Sequence, residues 1–140
     1  MKYFAALTMV VLIAPANCVA AAAPPALLLA RLASLAGSKS RDCGAVSLHE
    51  ESGGAMKCAK DASAAGTPYR VSFQLESPNS VIWQGAAQDD NGKVWMLFYD
   101  ADSKDGADSS PTFSVLRCKA MRFIAKGGEF LDCEPMSGER

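Results

Sequence analysis

One histidine, His49, is all the sequence has, and no two of its five cysteines stand closer than fifteen residues. Those shortages exclude several chemistries. Zinc sites show close pairs such as C-x-x-C or H-x-x-x-H, because neighbouring ligands must converge on one small ion. His49-Glu50-Glu51 opens like H-E-x-x-H, but position 53 is glycine and no second histidine exists to complete it. Thioredoxin-like exchange needs C-x-x-C, which is also missing. There is no G-x-S-x-G elbow and no glycine loop suited to phosphate. A surplus of positive charge is missing as well: 14 Lys and Arg stand against 15 Asp and Glu, so nothing drives counterion release from a nucleic acid.

What the chain does have begins at its amino terminus. Lys2 precedes an apolar run from Ala5 to Ala14, and the alanines at 20 to 23 give the small-x-small pattern of a signal-peptide cleavage site, which predicts a leader over residues 1–22. A retained membrane anchor is the competing reading, since residues 3 to 30 carry no charge; Pro15, Pro24 and Pro25 interrupt that run. Lipidation at Cys18 is a weaker alternative, because Asn17 stands where a small residue normally precedes such a cysteine. Cleavage would leave 140 − 22 = 118 residues, residues 23–140, enough for one domain with a modest core. It would also leave no membrane span, a net charge of about −2, and an even set of cysteines: Cys43, Cys58, Cys118 and Cys133. An even set in a small exported chain reads as a disulfide framework in an oxidising, periplasmic or extracellular setting. Three pairings are open. Cys43 with Cys58 and Cys118 with Cys133 is favoured here, because each closes a local fifteen-residue loop worth about 3 kcal/mol.

Periodicity sketches the rest. Residues 24–37 carry Leu28, Leu32 and Leu35 on one stripe and predict a helix that docks on the domain; 54–66 predict a second, with a narrow face of Ala55, Cys58, Ala59 and Ala62. Tyr69 to Leu75 alternates as a strand with Tyr69, Val71, Phe73 and Leu75 inward and Arg70, Ser72 and Gln74 outward. Asn91-Gly92 predicts a two-residue type I′ hairpin turn. That register sets Asp89 opposite Val94, Ala87 opposite Met96 and Gly85 opposite Phe98, and places Trp95, Leu97 and Tyr99 opposite Gln88, Ala86 and Gln84 on the other face. A three-residue turn would swap the sides. The aromatic and amide face formed by Trp95, Leu97, Tyr99, Gln84 and Gln88 is either covered by the first helix or left partly open to meet a partner. Phe113 and Val115 mark a further strand, and Gly127-Gly128 a last hairpin.

Two clusters of acids need weighing. Asp100, Asp102 and Asp105 before Gly106 suggest a calcium loop, but the third acid and the glycine come one residue late and Pro111 stands where the final glutamate belongs, which favours a solvated loop. The adjacent pairs Glu50-Glu51 and Asp89-Asp90 offer the two carboxylates a glycosidase uses, although such neighbours on a turn are usually only solvated. No catalytic residue, resident metal or cofactor is therefore expected.

The run D-C-G at 42–44, C-A-K-D-A at 58–62, G-T-P-Y at 66–69 and D-N-G-K-V-W-M-L-F-Y-D-A-D at 90–102, followed by two late cysteines, resembles small secreted proteobacterial proteins of unknown function. The resemblance spans Asp42 to Cys133 and implies an exported disulfide domain, with no activity or catalytic residue to carry over. The expected fold is α+β, two helices on an antiparallel sheet of four to six strands with two disulfides. The expected role is a non-catalytic envelope binding module of inhibitor or immunity type that engages an envelope protein. A self-associating accessory protein and a small hydrolase are the alternatives.

Overall fold

The computed structural model describes residues 23–102, 110–126 and 129–136. The leader with Cys18, Asp105 with Gly106, the Gly127-Gly128 turn and residues 137–140 lie outside the described residues. Element order is α1 (Ala26–Ala36), β1 (Arg41–Val46), α2 (Gly53–Ala64), β2 (Tyr69–Leu75), β3 (Ser80–Gln88), β4 (Val94–Asp102), β5 (Thr112–Lys126) and β6 (Glu129–Pro135). The six strands form one sheet in chain order, β1-β2-β3-β4-β5-β6. The sheet is mixed, not purely antiparallel as expected: β1 runs parallel to β2, and the remaining pairs are antiparallel. The connection explains the difference. A parallel neighbour needs a long crossover, and here that crossover carries α2.

Each helix follows from its local sequence. Pro25 leads into α1, where a missing N–H costs nothing, and Gly37 lies just past its end with φ of 83°. At the end of α2, Gly66 takes φ of 65°; its N–H bonds to Ser63 O, and Thr67 N–H to Ala62 O, the paired bonds of a Schellman stop. Leu28, Leu32 and Ala36 of α1 pack on Trp83, Ala87, Leu97 and Tyr99. Met56, Ala59 and Ala62 of α2 pack on the opposite face with Tyr69, Val71, Phe73, Ala86, Met96 and Leu131. Fully burying side chains such as Leu28, Leu32 or Phe73 contributes about 2 kcal/mol each.

With a helix on each side, β2 is covered twice. Ser72 and Gln74, expected to face water, are buried, and Gln74 Oε1 accepts a hydrogen bond from Leu48 N–H.

The sheet is rolled. Phe73 on β2 stacks on Phe130 of β6 with centroids 4.6 Å apart, although four strand spacings in a flat sheet would separate them by about 19 Å. The β5–β6 hairpin thus curls over the face that α2 shares, and Gln84 secures it there. Gln84 Nε2 donates to Leu131 O at 2.8 Å, while Gln84 Oε1 accepts from Leu131 N at 3.0 Å and Phe130 N at 3.3 Å.

Both disulfides lie on that same face. Cys43–Cys58 ties β1 to α2, and Cys118–Cys133 ties β5 to β6. Among the described residues no helix is long and apolar enough to cross a membrane.

Candidate functional site

The β3–β4 turn decides which side chains share a face. Gly92 takes φ of 73° while Asn91 stays at negative φ, so the type I′ turn is not formed. Instead Gly92 N–H bonds to Asp89 O, Asp89 N–H bonds to Lys93 O, and Asp89 Oδ1 accepts from Asn91 N–H and Lys93 N–H. This is a three-residue loop with a type I turn and a bulge at glycine, and it corrects the expected register by one residue. Gln88 pairs with Val94, Ala87 with Trp95, Ala86 with Met96, Gly85 with Leu97 and Gln84 with Phe98. The expected face is therefore split. Trp95, Leu97 and Tyr99 lie on the α1 side, whereas Gln84 and Gln88 point to the opposite face and are buried there.

On the α1 side, β4 and β5 form a ladder of three cross-strand pairs: Tyr99 with Phe113, Leu97 with Val115, and Trp95 with Arg117. The Tyr99 and Phe113 rings meet edge to face at 5.2 Å. Coverage stops between the two strands. A helix about 10 Å wide spans roughly two strand spacings, and α1 is seated over β3, where a Cβ on Gly85 would lie 2.9 Å from Leu32 Cδ2. Leu97 is fully buried and Tyr99 nearly so, but Phe113 is 37 % exposed and Val115 40 %. Because the sheet rolls towards α2, the strip between α1 and β5 is left as a shallow groove.

The groove measures about 480 Å³ and is lined by Leu27, Ala30, Arg31, Ser34 and Phe113. Leu27 is 59 % exposed at its mouth, and Trp95 is half-buried further along the β4–β5 ladder. Two arginines border this strip, Arg31 on α1 and Arg117 on β5. The ion pairs among the described residues are Lys57–Asp61, Arg70–Asp42, Lys119–Glu134 and Arg122–Asp132, and neither groove arginine takes part.

Sequence reading placed Trp95, Leu97 and Tyr99 on one face, as the structure does, but did not set Leu27, Arg31, Phe113, Val115 and Arg117 beside them. The missing signal was arithmetic: one helix cannot cover one whole face of six strands.

The remaining candidates lie elsewhere. His49 is exposed in the turn after β1 with φ of 70°, and Glu50 Oε2 accepts from Ser47 N–H, so this segment is a tight turn inside the Cys43–Cys58 loop. Asp89 and Asp90 line a second hollow, about 660 Å³, beside the end of α1 with Ser34, Lys39 and Pro68. Their carboxylates already accept within the turn, Asp89 from two backbone N–H groups and Asp90 from Asn91 Nδ2. Asp100 is exposed in β4 and Asp102 ends that strand, so two of the three acids suggested for calcium belong to a strand and not to a loop. Among the described residues no three His, Cys, Asp or Glu side chains group closely enough to hold a metal ion.

Under α2 the Tyr69 hydroxyl is buried, and no group among the described residues stands in full hydrogen-bonding geometry to it. Burial pushes its pKa up to about 12, with the Ser63 side chain alongside pulling the other way.

No protein-family model, curated protein or solved structure matches this chain.

Proposed function

We propose that the chain is an exported, non-catalytic binding module of the bacterial envelope, of the kind that inhibits or shields a partner protein, and that it docks through the strip between α1 and β5. One observation carries this reading. Phe113, Val115 and Leu27 leave apolar surface open side by side, next to a half-buried tryptophan, where the cover of α1 ends. Contiguous exposed apolar area with an aromatic anchor is the composition of a binding centre. Export is supported by the two disulfides, which form and persist in oxidising compartments, and by the leader pattern over residues 1–22. The hydrolase alternative has less support, since Glu50, Asp89 and Asp90 already accept hydrogen bonds within their own turns.

Val115→Asp tests the reading. At a site this exposed the substitution is expected to cost under about 1 kcal/mol of stability, yet it puts a charge in the middle of the strip. Wild type and a Lys57→Ala control on α2 are expected to retain the same protein from an envelope extract, and Val115→Asp to lose it. Equal retention by all three removes the strip from consideration. A concentration-dependent dimer that Val115→Asp dissociates would instead make the partner a second copy.

A further inference from the structure

The charge around the groove carries the reading one step further, to the chemistry of what docks there. Helix α1 contains Arg31 and no acidic residue, and the rows of β4 and β5 that face the same side, Trp95, Leu97, Tyr99, Phe113, Val115 and Arg117, contain no acid either. The chain as a whole is slightly acidic, with net charge −1. Among the described residues both arginines lie outside the ion pairs, whereas the acids that border the strip are engaged, Asp132 and Glu134 of β6 with Arg122 and Lys119, and Asp89 and Asp90 within their own turn; the strip is thus electrostatically complementary to an anionic partner. The guanidinium fork suits carboxylates in particular.

Shape narrows the choice further. The opening is a shallow, linear strip between the flank of α1 and β5, which suits an elongated ligand. The row from Phe113 to Arg117 is about 13 Å long, a length matched by about nine residues of α-helix. The open strip also lies beside α1, where a second helix would pack on the sheet.

We infer that the groove takes a short amphipathic helix of a partner protein. Its apolar side chains would rest on Leu27, Phe113 and Val115, and carboxylates on its flank would pair with Arg31 and Arg117. This rests on the docking strip proposed above and adds the fold and charge of the ligand. Recognition of this kind reads apolar residues at i, i+3 or i+4 and i+7. The acids supply orientation and encounter rate more than raw affinity, so binding weakens as salt rises.

The test is a displayed library of helix-biased twelve-residue peptides, selected on the oxidised protein and counter-selected on Val115→Asp. Selected sequences are expected to carry the helical apolar spacing with a net charge of −2 or lower. Arg31→Ala and Arg117→Ala are each expected to weaken the best peptide three- to tenfold, and glutamine replacement of its acids by tenfold or more. Circular dichroism of each variant confirms that the fold is retained. Val115-dependent peptides that are neutral or basic, or extended rather than helical, overturn the ligand assignment while leaving the strip in place. Failure to recover any Val115-dependent peptide overturns both. Binding to vesicles of anionic phospholipid in place of peptide overturns the assignment in favour of a membrane.

Discussion

The two faces of the sheet are closed by different means. On the α2 face, two disulfides, a curled hairpin and the Gln84 amide hold the elements together, and sulfur and aromatic side chains fill the space between. On the α1 face there is no covalent tie among the described residues. One helix rests on Trp83, Leu97 and Tyr99, seated by the absence of a side chain at Gly85, and the cover stops before β5. The lesson is a division of labour: a face fixed by cross-links and polar closure provides the stability that lets the other leave apolar surface open.

The largest expected effect breaks the fixed face. Replacing Cys118 and Cys133 together by alanine is expected to lower unfolding free energy by about 3 kcal/mol, the entropy released when a fifteen-residue loop is opened. Denaturant titration reads the loss, and an unchanged midpoint would contradict the division. Gln84→Leu comes next. It keeps the volume but strands Leu131 N–H, Leu131 C=O and Phe130 N–H, and is expected to cost about 2 kcal/mol, with faster hydrogen exchange concentrated in β6.

Gly85→Ala probes the packed face and is expected to cost about 1.5 kcal/mol, because the new methyl meets the buried Leu32. Leu32→Ala in the same chain should relieve part of that cost, a non-additivity that the double-mutant cycle measures and that is absent if α1 is not seated there.

The smallest effect belongs to Tyr69→Phe, expected to change stability at neutral pH by under about 1 kcal/mol and in the stabilising direction, since a buried hydroxyl without full hydrogen-bonding geometry is removed. Its signature appears in alkali. The unfolded phenol ionises near pH 10 and the folded one at about 12, so the unfolded chain releases its proton first. The Tyr69 contribution to wild-type stability is flat below about pH 10 and falls between about 10 and 12, and Tyr69→Phe is expected to remove it. A steeper neutral-pH loss in Tyr69→Phe would mean that Ser63 holds the hydroxyl.

Both helices, the strand at Tyr69–Leu75 and the cysteine pairing could be read in the sequence because each rests on local signals: apolar spacing, glycine stops, alternation and loop length. β1 was missed because Arg-Asp-Cys-Gly-Ala-Val is short, half polar and interrupted by Gly44 at φ of 96°. It becomes a strand only because β2 supplies a partner and Cys58 an anchor. The register of the β3–β4 hairpin was missed for a subtler reason. Asn-Gly favours the type I′ turn, but Asp89 spends its carboxylate on two backbone N–H groups and stabilises the longer loop instead.

That single residue of offset moved Gln84 and Gln88 to the opposite side of the sheet and with them half of the expected binding face. Trp95, Leu97 and Tyr99 were legible as aromatic and apolar. Their exposed companions were not, because exposure depends on where a distant helix stops.

The amide of Gln84 has a consequence for how such a protein behaves in crowds. Any open sheet offers two rims on which foreign strands can grow. At one rim, Phe130 and Leu131 already spend outward-facing backbone groups on a glutamine from the sheet's own interior. At the other, Gly44 breaks the ladder between Asp42 and Ala45. Interruptions at both rims disfavour strand-by-strand growth of the sheet.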